Sequence, residues 1–412
     1  MIHIQVKLTG DRTTAIAGYV ADRLESRYWP FVVGLASLGI ATALLCIGTS
    51  IALWVVGRLL QGASAAVVWT VGFALLADTV GNEGLGVAMG YVGMSMTLGL
   101  LCGPLLGGVL YGRSGYYGVF GLAFGLIGVD IILRVAMIER KHAAMWLQEQ
   151  NHQPTLQDEK ETKTHPGCAA LTETLPENPT SQQDCMHPVS SQDLHQGKKS
   201  NPFYAILASE RMLAAIWACF MISVLLGSFD SVLPLFVKDT FGWGKTNQGL
   251  AFIPLAVPHI LEPLVGRITD KFPRHRRYIA AGSLFAVVPP IVAMRFVTDN
   301  TISHKILLFA MLALVGTCIA ILFPPIMVEA SYVVQEKEAS MPNVFGKRGG
   351  MAVSYAIINT AYAAGIIAGP FLAGYIRDSA GWKTMTWALA LSAGVSGIPI
   401  LLLLGGLWFK NR

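Results

Sequence analysis

Four stretches of this chain, Gly84–Gly112, Ile306–Val328, Gly349–Ile376 and Thr384–Phe409, carry no charged side chain. Each exceeds the roughly 20 apolar residues that a helix needs to cross a bilayer core. Hydrocarbon offers backbone amides no water, so a segment of this kind must bond to itself, as a helix does. Phe31–Gly57 is also uncharged and reads as one span ending near Gly48-Thr49-Ser50, followed by a second through Arg58 to about Leu76. Ser114–Ile138, Met212–Val237, Gln248–Val265 and Tyr278–Val297 are apolar runs holding only isolated polar or charged residues, and a weak extra segment ends at Ala21. No alternating strand pattern competes. The fold class is therefore an all-α membrane protein.

Composition agrees. Only 13% of the 412 residues are charged and 53% are hydrophobic, against about 25% charged in a soluble globular protein. A soluble enzyme, a coiled coil, a collagen-like chain and a disulfide scaffold are all excluded. Cys46, Cys102, Cys219 and Cys318 sit inside apolar runs and read as small packing residues. Lys and Arg in short loops set orientation. One set of loops holds Arg23, Arg27, Arg267, Lys271, Arg274, Arg276, Arg277, Lys337, Lys347, Arg348, Lys410 and Arg412; the opposite set holds only Arg113, Lys238, Lys245, Lys305, Arg377 and Lys383. The first set, and the C-terminus with it, is expected to be cytoplasmic. Met1–Asp11 is polar and does not read as a cleavable signal.

The stretch 139–205 is rich in Gln, Glu, Thr, Pro and His, with six basic and nine acidic residues. Such a composition cannot bury a core, so a disordered cytoplasmic linker is expected. The chain then divides into an N-terminal membrane half at 1–138, the linker at 139–205 and a six-helix half at 206–412. His165, Cys168, Cys185 and His187 lie in the linker at irregular spacing. They read as part of a flexible connector rather than a zinc site, and no metal or cofactor is expected.

Two segments repeat. Gly18-Tyr-Val-Ala-Asp22-Arg23-Leu-Glu-Ser-Arg27 recurs as Gly266-Arg-Ile-Thr-Asp270-Lys271-Phe-Pro-Arg274. In each, Gly lets two helix ends approach, Asp can accept from a helix N-terminus or pair with a base, and Arg or Lys anchors the turn. Gly99-Leu-Leu-Cys-Gly103-Pro104-Leu-Leu-Gly107-Gly108 is echoed by Gly365-Ile-Ile-Ala-Gly369-Pro370-Phe-Leu-Ala-Gly374. Parallel repeats joined by a long central loop build a common transporter fold.

On these residues, from about Gly18 to Phe409, the sequence resembles the major facilitator superfamily. The likeness is to its twelve-span drug:proton antiporter branch and to fungal members close to vesicular amine transporters. Gly18–Arg27 is similar to the family's cytoplasmic loop signature, Arg58-Leu-Leu-Gln61-Gly62 to its fourth-helix Arg motif, and Gly99–Gly108 to its fifth-helix antiporter motif. Phe229–Lys238 and Pro324–Glu329 also resemble the fungal members. The resemblance implies a fold of two helical-bundle halves, with about 10 helices here in place of 12. The first helix and most of the second are missing before Gly18, and Glu25 stands where the family loop usually has Gly. An N-terminally shortened product is expected.

A charge in mid-membrane costs at least about 2.5–3.5 kcal/mol on insertion scales, so each one needs a reason. Arg58 lies a third of the way into its span and by resemblance faces the cavity, the alternative being an Arg that snorkels outward. Asp130 and Arg134, four apart, read as a structural pair. Asp230 lies deep in its span beside Gly227 and ahead of Pro234 and is the leading candidate for a proton-carrying or substrate-facing carboxylate. Glu329 is the second, at a helix expected to break at Pro324-Pro325. His259 and Glu262, three apart, read as a mutual hydrogen bond or a proton relay. Trp69 with Phe73, and Asn359 with Tyr355 and Tyr362, are candidates for cavity walls or for packing. Asp78 is expected to tie down the Arg23/Arg27 loop.

No G-x-x-x-x-G-K-[ST] motif and no nucleophile–base constellation occur, so neither an ATP-driven exporter nor an enzyme is expected. The function expected is proton-coupled efflux of small organic molecules by alternating access, in the plasma membrane rather than the vacuole. The partners would be substrate, protons and lipid, without nucleic acid, and the chain would act as a monomer. The alternatives are a vacuolar or vesicular amine loader and a truncated, non-transporting membrane protein.

Overall fold

The computed structural model describes residues 28–81, 83–136, 202–341, 344–345 and 350–406. These belong to one compact unit, and among them no strand occurs. The repeat copy at 18–27, most of the stretch 139–205 with its His and Cys residues, and Lys347, Arg348, Lys410 and Arg412 lie outside the described residues.

Helix α1 spans Tyr28–Ile47 and α2 spans Ile51–Val80. The turn between them forms where the sequence places it. Ser50 caps α2 by accepting from the Leu53 N–H at 3.3 Å, and the Trp54 indole donates to the Gly48 carbonyl at 2.9 Å. An uncapped N-terminus leaves orphan amides, which is why a serine stands there. Leu85–Ala136 is nominally one helix of 52 residues, about 78 Å at 1.5 Å per residue and far longer than a bilayer core. It reverses at Gly115, whose φ of 69° suits glycine alone, giving α3 (85–114) and α4 (116–136).

Helix α5 is Glu210–Phe241. Span α6, Thr246–Lys271, is assembled from short helical pieces around Pro254, Pro258 and Pro263, and α7 is Pro273–Phe296. Helix α8, Ile302–Ser340, runs unbroken through Pro324 and Pro325. The break expected there does not form. Both prolines are buried, and neighbouring helices make a proline tolerable in a membrane helix. Met351–Leu403 reverses at Gly381 (φ 83°), giving α9 (351–380) and α10 (382–403).

Gly115 and Gly381 each stand eleven residues after the Pro of a Gly-Pro motif, Pro104 and Pro370. The internal repeat thus extends into the backbone, with the same reversal at the same place. Among the described residues, eight helices are long and apolar enough to cross a membrane, and dividing Leu85–Ala136 and Met351–Leu403 at these glycines gives ten helical segments.

The two Gly-Pro copies pack differently. On α9, a Cβ at Gly365 would collide with Ser223 and one at Gly369 with the Val224 carbonyl, while Ser228 Oγ donates to the Gly369 carbonyl at 3.1 Å. Small residues here let α5 and α9 meet backbone to backbone. On α3, a Cβ at Gly99, Gly103, Gly107 or Gly108 would meet nothing within 4 Å. No described helix covers that face.

Gly369→Ala should therefore wedge α5 from α9 and cost about 1–3 kcal/mol. Gly374→Ala, where a Cβ meets open space, should be near neutral. Thermal unfolding of the two variants in detergent would test this, and equal melting temperatures would contradict the packing account.

Candidate functional site

A cavity of about 390 Å³ lies among α3, α5, α6 and α9. Met96, Thr97 and Leu100 of α3 form one wall, and Leu226, Asp230 and Pro234 of α5 another. The stretch of α6 from Gln248 to His259 and Tyr362 of α9 complete it. The walls are mostly apolar, with one carboxylate, one imidazole and one phenol turned inward. Asp230 is exposed here although Val224, Leu225 and Phe229 just before it are buried. Of the other pathway candidates, Trp69 borders a separate open groove with Leu76, Tyr91 and Ser95. Trp69 also meets Phe73, which stacks on Tyr355 of α9 with centroids 5.4 Å apart. Arg58 donates to Gln61 at 3.0 Å along its own helix. Asn359 is half-buried and is not among the residues lining the 390 Å³ cavity.

At one end the cavity is closed by direct contact of α3 with α6. A Cβ on Gly86 would strike the Gly266 carbonyl and the Asp270 carboxylate, and one on Gly90 would strike the Glu262 carbonyl. A Cβ on Gly93 would strike the Glu262 carboxylate, and one on Gly266 the backbone of Gly86. Gly86, Gly90 and Gly93 share a helix face, and only glycine allows backbones this close. Asp270 fixes the register: its two carboxylate oxygens accept from the Gly86 and Val87 N–H groups at 2.8 and 3.1 Å. These amides belong to the first turn of α3, where orphan donors and the helix dipole favour an anion. Gly266 and Asp270 come from the repeated loop. Lys271, next to them, is exposed and lies over the Phe272 ring, 5.5 Å from its centroid. Their partners on α3 went unread in the sequence, although the Gly-x-x-x-Gly-x-x-Gly spacing was there to find.

Glu329 occupies neither a broken helix nor the cavity wall. It is 1% exposed and accepts from Arg211 Nε at 2.6 Å and from the Gly405 N–H at 3.0 Å. Arg276 Nη1 stands 3.9 Å from its second oxygen. Arg276 in turn lies over the Tyr332 ring at 3.9 Å, and Arg277 donates to the Gly405 carbonyl at 2.9 Å. Arg211 also meets Glu336. A buried ion requires such a set of partners, and the set ties the ends of α5, α7, α8 and α10 together. Two cations and a backbone amide hold Glu329 in this network and away from the cavity.

Asp78 is exposed near the end of α2; its expected partners Arg23 and Arg27, with Gly18 and Asp22, lie outside the described residues. Arg134 is buried over Phe31, 5.3 Å from the ring centroid, while Asp130 on the same helix is exposed.

Removing one charge at the closed end should loosen it. Asp270→Asn should weaken the closed state by roughly 1.5–3 kcal/mol, the worth of a charge-assisted hydrogen bond. A cysteine at Thr97 should then label faster from the Lys- and Arg-rich end. Unchanged labelling would count against Asp270 as the latch.

Three comparisons bear on this architecture. The family model described as Major Facilitator Superfamily matches residues 13–353. An uncharacterized MFS-type transporter of Schizosaccharomyces pombe is 33% identical over 379 residues, covering 91% of this chain and 79% of the relative. The MFS-type transporter ppzB of Metarhizium majus is 31% identical over 406 residues, covering 94% and 87%. Among solved structures, the human organic anion transporter MFSD10 (TETRAN) superposes with a TM-score of 0.66 at 15% identity, covering 97% of this chain and 82% of that one. The chain is a multi-pass membrane transporter rather than an enzyme, and it belongs to the major facilitator superfamily.

Proposed function

We propose that the protein is a secondary active exporter that exchanges small organic molecules for protons by alternating access. One observation carries the reading. Helix α3 of the first four segments and α5, α6 and α9 of the last six enclose a largely apolar cavity beside a close α3–α6 contact, and that cavity presents exchangeable-proton groups at Asp230 and His259. Alternating access needs a contact strong enough to close one end and weak enough to break. Asp270's two hydrogen bonds to α3 and a strip of glycine contacts supply that. Leu226, Pro234, Phe252 and Ile253 suit an apolar organic body, and Asp230 suits a proton or a cationic group.

The seal joins the start of α3 to the Lys271 end of α6, on the side of the Lys- and Arg-rich loops. The positive-inside rule assigns that side to the cytoplasm. The N-terminal half would then comprise 1–138, the cytoplasmic linker 139–205 and the C-terminal half 206–412, in a monomer of the plasma membrane.

Inside-out vesicles containing the full chain, loaded with a lipophilic fluorescent dye under an imposed pH gradient, test the proposal. The parent should accumulate dye only with the gradient. Asp230→Asn, a permanent mimic of the protonated acid, should still insert but lose gradient-driven accumulation. Undiminished accumulation in Asp230→Asn would make this residue structural. A parent that moves no dye across a broad panel would favour a non-transporting membrane protein.

A further inference from the structure

Glu262 is 1% exposed, yet it lies at the contact between α3 and α6. One carboxylate oxygen, Oε1, meets His259 Nδ1. The other, Oε2, has no hydrogen-bond partner among the described residues and presses on Gly93 beside Phe323. His259 itself lines the cavity. A proton arriving from the cavity therefore reaches an imidazole whose Nδ1 already touches a buried carboxylate.

We infer that His259 and Glu262 together bind the exchanged proton and couple its presence to the seal between α3 and α6. The inference rests on the transport reading above. With one proton shared, the pair is formally neutral and suits a dry contact. Without it, a carboxylate with an orphan oxygen is left against Gly93, an arrangement that burial strongly disfavours. Separating α3 from α6 admits water to Glu262, where the bare carboxylate is solvated and the proton can leave as hydronium. Proton binding holds the seal, and opening the seal releases the proton.

The geometry leaves little to interfere. Against Glu262, α3 contributes Gly90 and Gly93, and α8 contributes Phe323. Among the described residues, the titratable groups nearby are Asp230 of α5 and Tyr362 of α9, both on the cavity wall, with Cys219 of α5 beyond Tyr362, and Asp270 at the far end of the same α3–α6 contact. A glycine at 93 is required because any side chain would occupy the place of Glu262 Oε2.

The test needs no substrate. Infrared difference spectra of the full chain in membranes, recorded on acidification, should show a carboxylic-acid C=O band that vanishes in Glu262→Gln and persists in Asp230→Asn. In a cysteine-free background, the rate at which Thr97→Cys reacts with a membrane-impermeant maleimide, divided at each pH by the rate of a free thiol, should change with pH by about tenfold or more, the factor for one charge-assisted hydrogen bond. That change should shrink to about twofold or less in Glu262→Gln, and its midpoint should move in His259→Asn. Identical carboxylic-acid bands in the parent and Glu262→Gln would overturn the site. PH-dependent labelling retained in both variants would overturn the coupling. If the band and the labelling behave as stated but the parent moves no dye, the transport reading falls and the proton site stands.

Discussion

In a bilayer, every backbone amide must be satisfied within its own helix, and the helices then gain little from hiding apolar surface from lipid that is itself apolar. What holds such a bundle is how closely backbones approach and where the few polar groups meet. In this protein the approach is made by glycines on defined faces. Gly365 and Gly369 bring α9 onto α5, and Gly86, Gly90, Gly93 and Gly266 bring α3 onto α6. The first contact joins helices of the last six segments. The second joins the first four segments to the last six, and the closed end of the cavity depends on it.

Charge is distributed according to the same constraint. Asp270 is placed at the amide-rich start of another helix, where an anion is welcome and water is near. Glu329, fully buried, is surrounded by Arg211, Arg276 and the Gly405 amide and serves to bind helix ends. Asp230 and His259 face the cavity. Glu329 and Asp230 lie in similar apolar sequence and Asp270 in a basic loop, and each meets a different set of partners.

The opposite end of the last six segments is built from ordinary packing. Trp382 stacks on Phe236 at 3.8 Å and donates to the Met294 carbonyl at 3.0 Å, and Arg377 meets Asp239. The contacts at the two ends of α5 thus differ in kind. Arg211 at its start enters the buried Glu329 network, while Asp239 at its end makes an exposed pair that contributes little in solvent.

Charge-free runs, turn glycines and the repeat around Gly266 and Asp270 were legible in the sequence because each is local. A helix is decided by its own apolar length, and a cap or reversal by residues a few positions apart, as at Ser50. The depth of Asp230 and the spacing of His259 and Glu262 were legible for the same reason. Only the tertiary structure decided which of 43 glycines touch another backbone, since that depends on the rotation of two helices about their axes. It also decided that Glu329 meets Arg211, 118 residues away, and that two buried prolines leave α8 whole. Partners across such distances are chosen by packing, and no periodicity along one helix records the face its neighbour presents.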